Sequence, residues 1–380
     1  MTRRSAQNPR NSPPRHIRSS GSAVSALYVV IPGDLETRTG GYGYDRRIIA
    51  GLRQRGWRVD VQRLDDSFPT PTPAARANAA SVLAAIPDGS TVLVDGLALG
   101  ALPDEAEREA SRLRIVALVH HPLAAETGLD PVRAAALEVS ERRALAASRS
   151  VVVTSRATAA RLANYGVTRD RITVVEPGTD PAPLARGSRP KPLALSPRPS
   201  AVALLCVATL TPRKGYELLI RALAAVPHRR WTLTCAGSLD RDPQTVTNVR
   251  DLVRAEGMEG RVVFAGDLDA ATLATHYDRA DLFVLPTLYE GYGMVVAEAL
   301  ARGIPVVSTD TGAIADLVGA AAGVVVQPGD LAAFTEALSR VLGDAELRAQ
   351  LSAGARRVRD RLPTWDAAAA AMALALEERA

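Results

Sequence analysis

Short runs of Val, Ile and Leu alternate along the chain with longer stretches in which Ala, Leu and Arg recur at helical spacing. In the first half these runs fall at 27–31, 91–94, 115–119, 151–154 and 172–175. Runs this short, apolar at successive positions, suit strands covered on both faces, and helices between them suit βα units around a parallel sheet. The rhythm stops at 181–200, where Pro181, Pro183, Pro190, Pro192, Pro197 and Pro199 stand among basic residues. Proline fixes φ and removes a backbone donor, so this stretch reads as a linker. The runs then resume at 202–208, 232–236, 262–265, 282–285, 306–308 and 323–326. The pattern predicts an α/β chain of two Rossmann-like, doubly wound domains, with a cleft between the carboxyl ends of their strands. The boundaries that follow are 1–22 for a basic tail, 23–183 for the first domain, 184–200 for the linker and 201–364 for the second domain. The helical stretch 365–380 is assigned back to the first domain.

Composition supports two cores and excludes several classes. A length of 380 residues exceeds what one core ordinarily organises, and 47% hydrophobic residues supply ample apolar surface for two. Residues 1–22 carry Arg, Ser, Pro and Asn without apolar periodicity, which predicts a disordered tail. The apolar run that follows lacks a small-residue cleavage site and leads into Pro32 and Gly33, so it reads as a strand, not a secretion signal. No stretch approaches the roughly 20 apolar residues of a membrane span, and the expectation is a cytoplasmic protein, soluble or peripheral. A net charge of +5 suits phosphate-bearing ligands, nucleic acid or an anionic membrane without choosing among them. Cys206 and Cys235 lie inside apolar runs and read as buried thiols; neither a disulfide framework nor a zinc site is suggested.

Candidate chemistry concentrates in the second half. After the run 282–285 come Pro286, Glu290, Gly291, Tyr292, Gly293, Met294, Val295 and Glu298, then Gly303 and Pro305. The glycines free the backbone to approach a ligand, a helix is expected to start near Met294, and Gly303 with Pro305 stops it. Unpaired amides at such a start make residues 291–295 a site for phosphate or sugar oxygens. Glu290 in the loop can accept from sugar hydroxyls, and Glu298 on the helix can reach a ribose diol. Two glutamates at this spacing would ordinarily be a solvated acid and a salt bridge; the strand, glycines and helix stop around them favour a site. A second element, Arg213-Lys214-Gly215 between a strand and a helix, makes an anion cradle, with a planar fork on Arg213 and a mobile point charge on Lys214.

Segments 208–219 and 281–315, together with a strand–helix rhythm across nearly the whole chain, resemble family 4 of the retaining GT-B glycosyltransferases. The resemblance places the family's glutamate pair on Glu290 and Glu298 and its diphosphate-binding cations on Arg213 and Lys214. In the first domain, the segment 39–45 with Gly40 and Gly41 resembles the family's glycine loop near donor diphosphate and acceptor; a surface turn is the plainer alternative. The segment 119–122 falls where the family carries a histidine against the donor sugar, and His120, the first polar residue after the strand, is favoured over His121. The segment 174–180 resembles the turn ending the first domain, with Pro177 in place of the usual asparagine, and is read as structural.

What the resemblance implies is transfer of a hexose-type sugar from a UDP- or GDP-sugar to an acceptor hydroxyl with retention. The nucleotide diphosphate sugar is then a co-substrate, no cofactor or metal is required, and nucleic acid is not a partner. The acceptor is expected to be a glycan, a lipid-linked species or a small molecule of polysaccharide, glycolipid or envelope-glycan synthesis. Two Asp-x-Asp triplets, 240–242 and 267–269, read as turn acids. No general base stands out; Glu126 is a candidate acceptor contact, and the leaving phosphate could itself take the acceptor proton. Two rival classes stay open. Asp60 would suit the ribose of a nicotinamide-dependent oxidoreductase, although the glycine segment begins too far after its strand for a dinucleotide fingerprint. Arg46, Arg47, Arg53, Arg55, Trp57 and Arg58 would suit a peripheral membrane or scaffold protein, or an enzyme in peripheral contact with an acidic membrane.

Overall fold

The structure is a computed structural model that describes residues 25–188, 201–228 and 230–377. The tail assigned to 1–22 and the linker residues 189–200 lie outside the described residues. The first sheet comprises β1 (Ala26–Pro32), β2 (Arg58–Leu64), β3 (Thr91–Asp95), β4 (Arg114–Val119), β5 (Ser150–Val153) and β6 (Ile172–Val174). The second comprises β7 (Val202–Val207), β8 (Trp231–Ala236), β9 (Val262–Gly266), β10 (Leu282–Leu285), β11 (Val306–Thr309) and β12 (Gly323–Val326). Their orders are β2-β1-β3-β4-β5-β6 and β12-β11-β10-β7-β8-β9, and neighbouring strands run parallel. Strand order reverses between β1 and β3 in one sheet and between β7 and β10 in the other, the positions where doubly wound sheets open a crevice.

The two-domain α/β architecture is the one the hydrophobic runs predict, and β2 is the strand they do not show. Its sequence Arg-Val-Asp-Val-Gln-Arg-Leu alternates polar with apolar residues because it is an edge strand bonded on one side to β1, with exposed Arg58 and Asp60 beside buried Val59. The interior strands feed both faces of their sheet. Val30, Val92, Val94, Ile115 and Ala117 enter one core, while Leu27, Val29, Ile31, Leu93, Val116 and Leu118 enter the other. The second domain closes around Trp231, Tyr216, Phe283 and Phe334, all fully buried. Two acids of the Asp-x-Asp triplets turn out to be helix caps: Asp242 accepts from the Thr245 amide at 2.9 Å and Asp269 from the Thr272 amide at 2.8 Å.

The chain ends against the first domain. Helix Trp365–Glu377 puts Ala368, Met372, Ala373 and Leu376 into the core that also holds Ile48, Ile49 and Leu52 of helix Gly40–Gln54. Its crossing is fixed at the 174–180 turn, where the Thr179 amide donates to Pro363 O at 2.8 Å and a Cβ on Gly178 would lie 2.2 Å from the Trp365 amide nitrogen. Small residues let the two helices close: a Cβ on Gly51 would stand 2.4 Å from the Cβ of Ala369. No helix among the described residues is long and apolar enough to cross a membrane.

Gly51→Leu therefore forces these helices apart, and a loss of about 1–3 kcal/mol in unfolding free energy is expected in a denaturant titration. An unchanged midpoint would mean that the terminal helix does not bear on this domain.

Candidate active site

One wall of the cleft is built from the loops that follow β7 and β10, on either side of the second crevice. After β7 the chain makes a tight turn, Pro212–Lys214, ended by Gly215 in the left-handed region at φ 69°. A Cβ on Gly215 would lie 2.1 Å from Pro286 O, so the two loops run backbone against backbone. Leu288 N donates to Arg213 O at 2.7 Å and Thr287 Oγ1 to the same oxygen at 3.2 Å. That register brings the side chains together: the Lys214 ammonium donates to Glu290 Oε1, and Arg213 Nη1 lies 3.6 Å from that oxygen while donating to Tyr289 O at 2.9 Å. Lys214 and Glu290 are each only 14% exposed. Burial alone would raise the Glu290 carboxyl, yet Lys214 and Arg213 hold it below the ordinary carboxylate range; burial pushes the Lys214 ammonium down. The Glu290 amide donates to Thr311 Oγ1 at 3.1 Å, and a Cβ on Gly312 would come within 2.2 Å of Glu290 O.

Helix Met294–Ala301 begins at Gly293, left-handed at φ 93°, and no side chain caps it, which leaves first-turn amides for an anion. Glu298, on its inner face, accepts from Tyr277 OH at 2.9 Å through Oε2, and the Arg302 guanidinium lies 4.4 Å from the centre of the Tyr277 ring. Burial raises the Glu298 carboxyl. The residues 291–295 do not all face the cleft. The Tyr292 ring is buried in a small cluster with Ala297 and Ala313, so this position offers main chain to a ligand. Val295 packs against the second core, whereas the Met294 sulfur would lie 3.9 Å from a Cβ on Gly40, across the cleft.

The facing wall belongs to the first domain. His120 sits at the end of β4, 20% exposed, with Nε2 3.2 Å from Asp45 Oδ1 and 3.8 Å from Asp95 Oδ2. A Cβ on Gly291 would lie 2.3 Å from His120 O, so the two domains meet at this residue. Burial pushes the His120 imidazole down, but the charge and hydrogen bond of Asp45 hold it above the usual histidine range. Gly40 and Gly41 do not form the loop expected of them: Thr39 accepts from the Tyr42 amide at 3.4 Å and the glycines open helix Gly40–Gln54. They lie beside the site all the same: a Cβ on Gly41 would stand at ordinary contact distance, 3.5 Å, from the His120 ring. His121 turns the other way, its ring centre 5.8 Å from that of Tyr289 and its Nε2 3.7 Å from Glu126. Glu126 reaches across the cleft to Arg213 Nε at 3.0 Å; burial would raise its carboxyl, but His121 and Arg213 hold it at about 2.

No motif in the sequence marks Asp45, Asp95, Thr311, Gly312 or Tyr277 as a site residue. Asp95 ends its strand ahead of a helix, the visible signal for it; Asp45 lies inside the glycine segment 39–45. Among the described residues, Asp45, Asp95 and His120 alone are close enough together, within 4.8 Å, to have the spacing of a cation site. Since Nε2 already bonds Asp45, we read the three as an acid–imidazole network. The oxidoreductase reading loses its support. Asp60 lies in mid-strand on the exposed edge, paired with Tyr28 and accepting from Gln62, away from the carboxyl ends where a ribose would sit. Of the residues expected on a basic surface, Arg46 donates to Leu35 O and Thr37 O, Arg47 to Asp180, Arg53 to Val59 O and Arg55 to Asp366, Trp57 is buried and Arg58 is exposed.

Two facing doubly wound domains with a site between their strand ends define the GT-B class of fold, and solved structures share it. The sucrose-phosphate synthase of Thermosynechococcus elongatus superposes with a TM-score of 0.77 at 21% identity, over 93% of this chain and 98% of that one. Anabaena HepE in complex with UDP and glucose gives 0.72 at 17% identity, over 93% of this chain and 100% of the other. In sequence, residues 197–358 match the family Glycosyl transferases group 1 and residues 95–183 match Glycosyltransferase Family 4. The chain belongs to glycosyltransferase family 4. It is 34% identical over 243 residues to the D-inositol 3-phosphate glycosyltransferase of Xylanimonas cellulosilytica, covering 62% of this chain and 58% of that protein. To the mannosylfructose-phosphate synthase of Agrobacterium fabrum it is 32% identical over 160 residues, 40% of this chain and 35% of that protein. The matches thus span less than two thirds of these relatives' length.

One buried acid under the site gives a pH test. Glu141 Oε2 accepts from the Leu123 amide at 2.9 Å and so holds the segment after His120; burial raises its carboxyl to about 8. A raised carboxyl is neutral in the fold, so its contribution is complete below its ordinary value of 4.5 and is lost as pH rises through about 8. The thermal midpoint of the wild type should fall across that window relative to Glu141→Gln, whose amide does not titrate; parallel curves would contradict the assignment.

Proposed function

We propose that this chain is a retaining glycosyltransferase that moves a hexose-type sugar from a UDP- or GDP-sugar to an acceptor hydroxyl. The observation that carries the reading is the convergence of Arg213 and Lys214 on Glu290 at the strand-order reversal of the second domain, opposite His120. The relatives' names and a structural neighbour holding UDP and glucose support the donor class.

In this reading the breaking bond leaves negative charge on a diphosphate, and Arg213, Lys214 and the first-turn amides of helix Met294–Ala301 stabilise it. The cations stand in a largely buried pocket, where a fixed charge is worth more than in water and needs no reorganisation. Glu290 keeps them in place before the donor arrives, and its Oε2, bonded to nothing among the described residues, accepts from a sugar hydroxyl. Oε1 of Glu298 is likewise unengaged among the described residues and takes the ribose diol. His120 contacts the sugar from the other wall. No side chain is invoked as general base: attack from the face that the diphosphate leaves lets a departing phosphate oxygen take the acceptor proton. The donor is a co-substrate and no separate cofactor enters. The acceptor is a glycan, lipid-linked or small-molecule hydroxyl, and the place of reaction is the cytoplasm.

A panel of UDP-, GDP- and ADP-hexoses, read by thermal shift and by donor hydrolysis, tests this. One nucleotide class should raise the midpoint and be turned over, and Lys214→Ala or Glu290→Gln should cut kcat on the order of a hundredfold or more with the circular dichroism spectrum retained. Full turnover in either variant, or no stabilisation by any nucleotide diphosphate, contradicts the proposal.

A further inference from the structure

The groups behind His120 form a connected set. From helix Gly40–Gln54 come Asp45, 3% exposed, and the Tyr44 ring, whose centre lies 5.3 Å from that of His120. From the end of β3 comes Asp95, 6% exposed. From the end of β5, Thr154 Oγ1 donates to His120 O at 3.4 Å, and from the second domain Gly291 covers that same oxygen. Tyr42 feels both acids, as well as Asp66 and Arg241. Asp45 and Asp95 are thus the charged groups set against the imidazole.

Their oxygens can be accounted for one by one. Asp95 Oδ1 accepts from the Leu97 amide at 2.7 Å. Asp45 Oδ1 faces His120 Nε2 at 3.2 Å. Asp45 Oδ2 is buried and has no donor among the described residues. Two buried carboxylates this close cannot both stay ionised, and a buried acceptor without a donor is costly. A proton carried by Asp95 meets both conditions, since it removes one charge and supplies a donor for Asp45 Oδ2.

We propose that Asp45 and Asp95 are positioning residues that share one proton, so that a single negative charge on Asp45 holds the His120 imidazole protonated and turned with Nε2–H toward Asp45. The other ring nitrogen, bonded to nothing among the described residues, then presents an N–H to the cleft, as a donor and never as an acceptor. A cationic His120 facing the sugar adds to the stabilisation of the departing diphosphate; that role rests on the reading above, whereas the protonation does not. The raised position of Asp95, at about 7 through burial and the neighbouring Asp45, agrees with the shared proton.

The test is an NMR pH titration of imidazole Cε1–H signals in the free, full-length protein, with His120 among the five histidines assigned from a His120→Gln sample. Wild-type His120 should titrate above the ordinary histidine range. Asp45→Asn should lower its midpoint by about one pH unit or more, a tenfold loss of proton affinity. Asp95→Asn, whose amide imitates the protonated acid, should leave the midpoint where it is. The same spectra report whether each variant is folded, and once a donor is known the alkaline limb of kcat should move with the Asp45→Asn midpoint. An unmoved midpoint in Asp45→Asn overturns the proposal, as does an equal fall in Asp95→Asn. A stoichiometric shift of the His120 signal on adding Zn²⁺ or Mg²⁺, lost in Asp45→Asn, would make the cluster a cation site and overturn it too. Because no sugar nucleotide is present, the expected titration together with failed turnover would count against the glycosyl-transfer reading alone.

Discussion

The arrangement of the cleft depends on one buried carboxylate held between two cations. Glu290 would be costly to bury by itself, and Lys214 and Arg213 would repel each other without it. Each member of the group sits where it does because the loops after β7 and β10 lie backbone to backbone, Gly215 against Pro286 and Leu288 bonded to Arg213. The ion pair therefore converts a feature of topology, the reversal of strand order, into a preorganised site for negative charge. The same contacts support the loop that meets the other domain, since Gly291 next to Glu290 rests on His120 O.

Contact between the domains is made of groups that a ligand could also use. Arg213 bonds Glu126 across the cleft, Met294 lies against the glycine-started helix, and Arg38 donates to Leu268 O at 3.1 Å at the rim. In the reading proposed above, a diphosphate entering the cleft would compete with Glu126 for Arg213, which would couple donor binding to the approach of the two walls. Glycines carry the closest passages. Gly291 leaves room for His120 O and Gly312 for the carbonyls of residues 290 and 291, where any side chain would intrude.

Much of this was legible in the sequence, and what was not has physical causes. Buried parallel strands announce themselves as apolar runs; β2, half covered at a sheet edge, does not. Glu290, Arg213 and Lys214 could be picked out because each follows a strand and adjoins glycine or a helix start, and His120 because it is the first polar residue after its strand, where the family resemblance places a histidine. The bond between Lys214 and Glu290 could not, because the two lie 76 positions apart and meet only through sheet order. Asp45 and His120, 75 positions apart, are the same case. At Tyr292 the motif marks the position without showing where the ring goes, which is into a cluster with Ala297 and Ala313. The triplet acids Asp242 and Asp269, which read as turn acids, are helix caps.

The central claim is that the Glu290–Lys214–Arg213 group is a nucleotide diphosphate site. Calorimetric titration of UDP and of GDP into the wild type and into Lys214→Met addresses it without any acceptor. The account predicts saturable one-to-one binding of one of the two to the wild type, weakened at least about tenfold in the variant, the loss expected when a single charge-assisted contact of about 1.5–3 kcal/mol is removed. Equal affinities, or no binding of either nucleotide to the wild type, would contradict it.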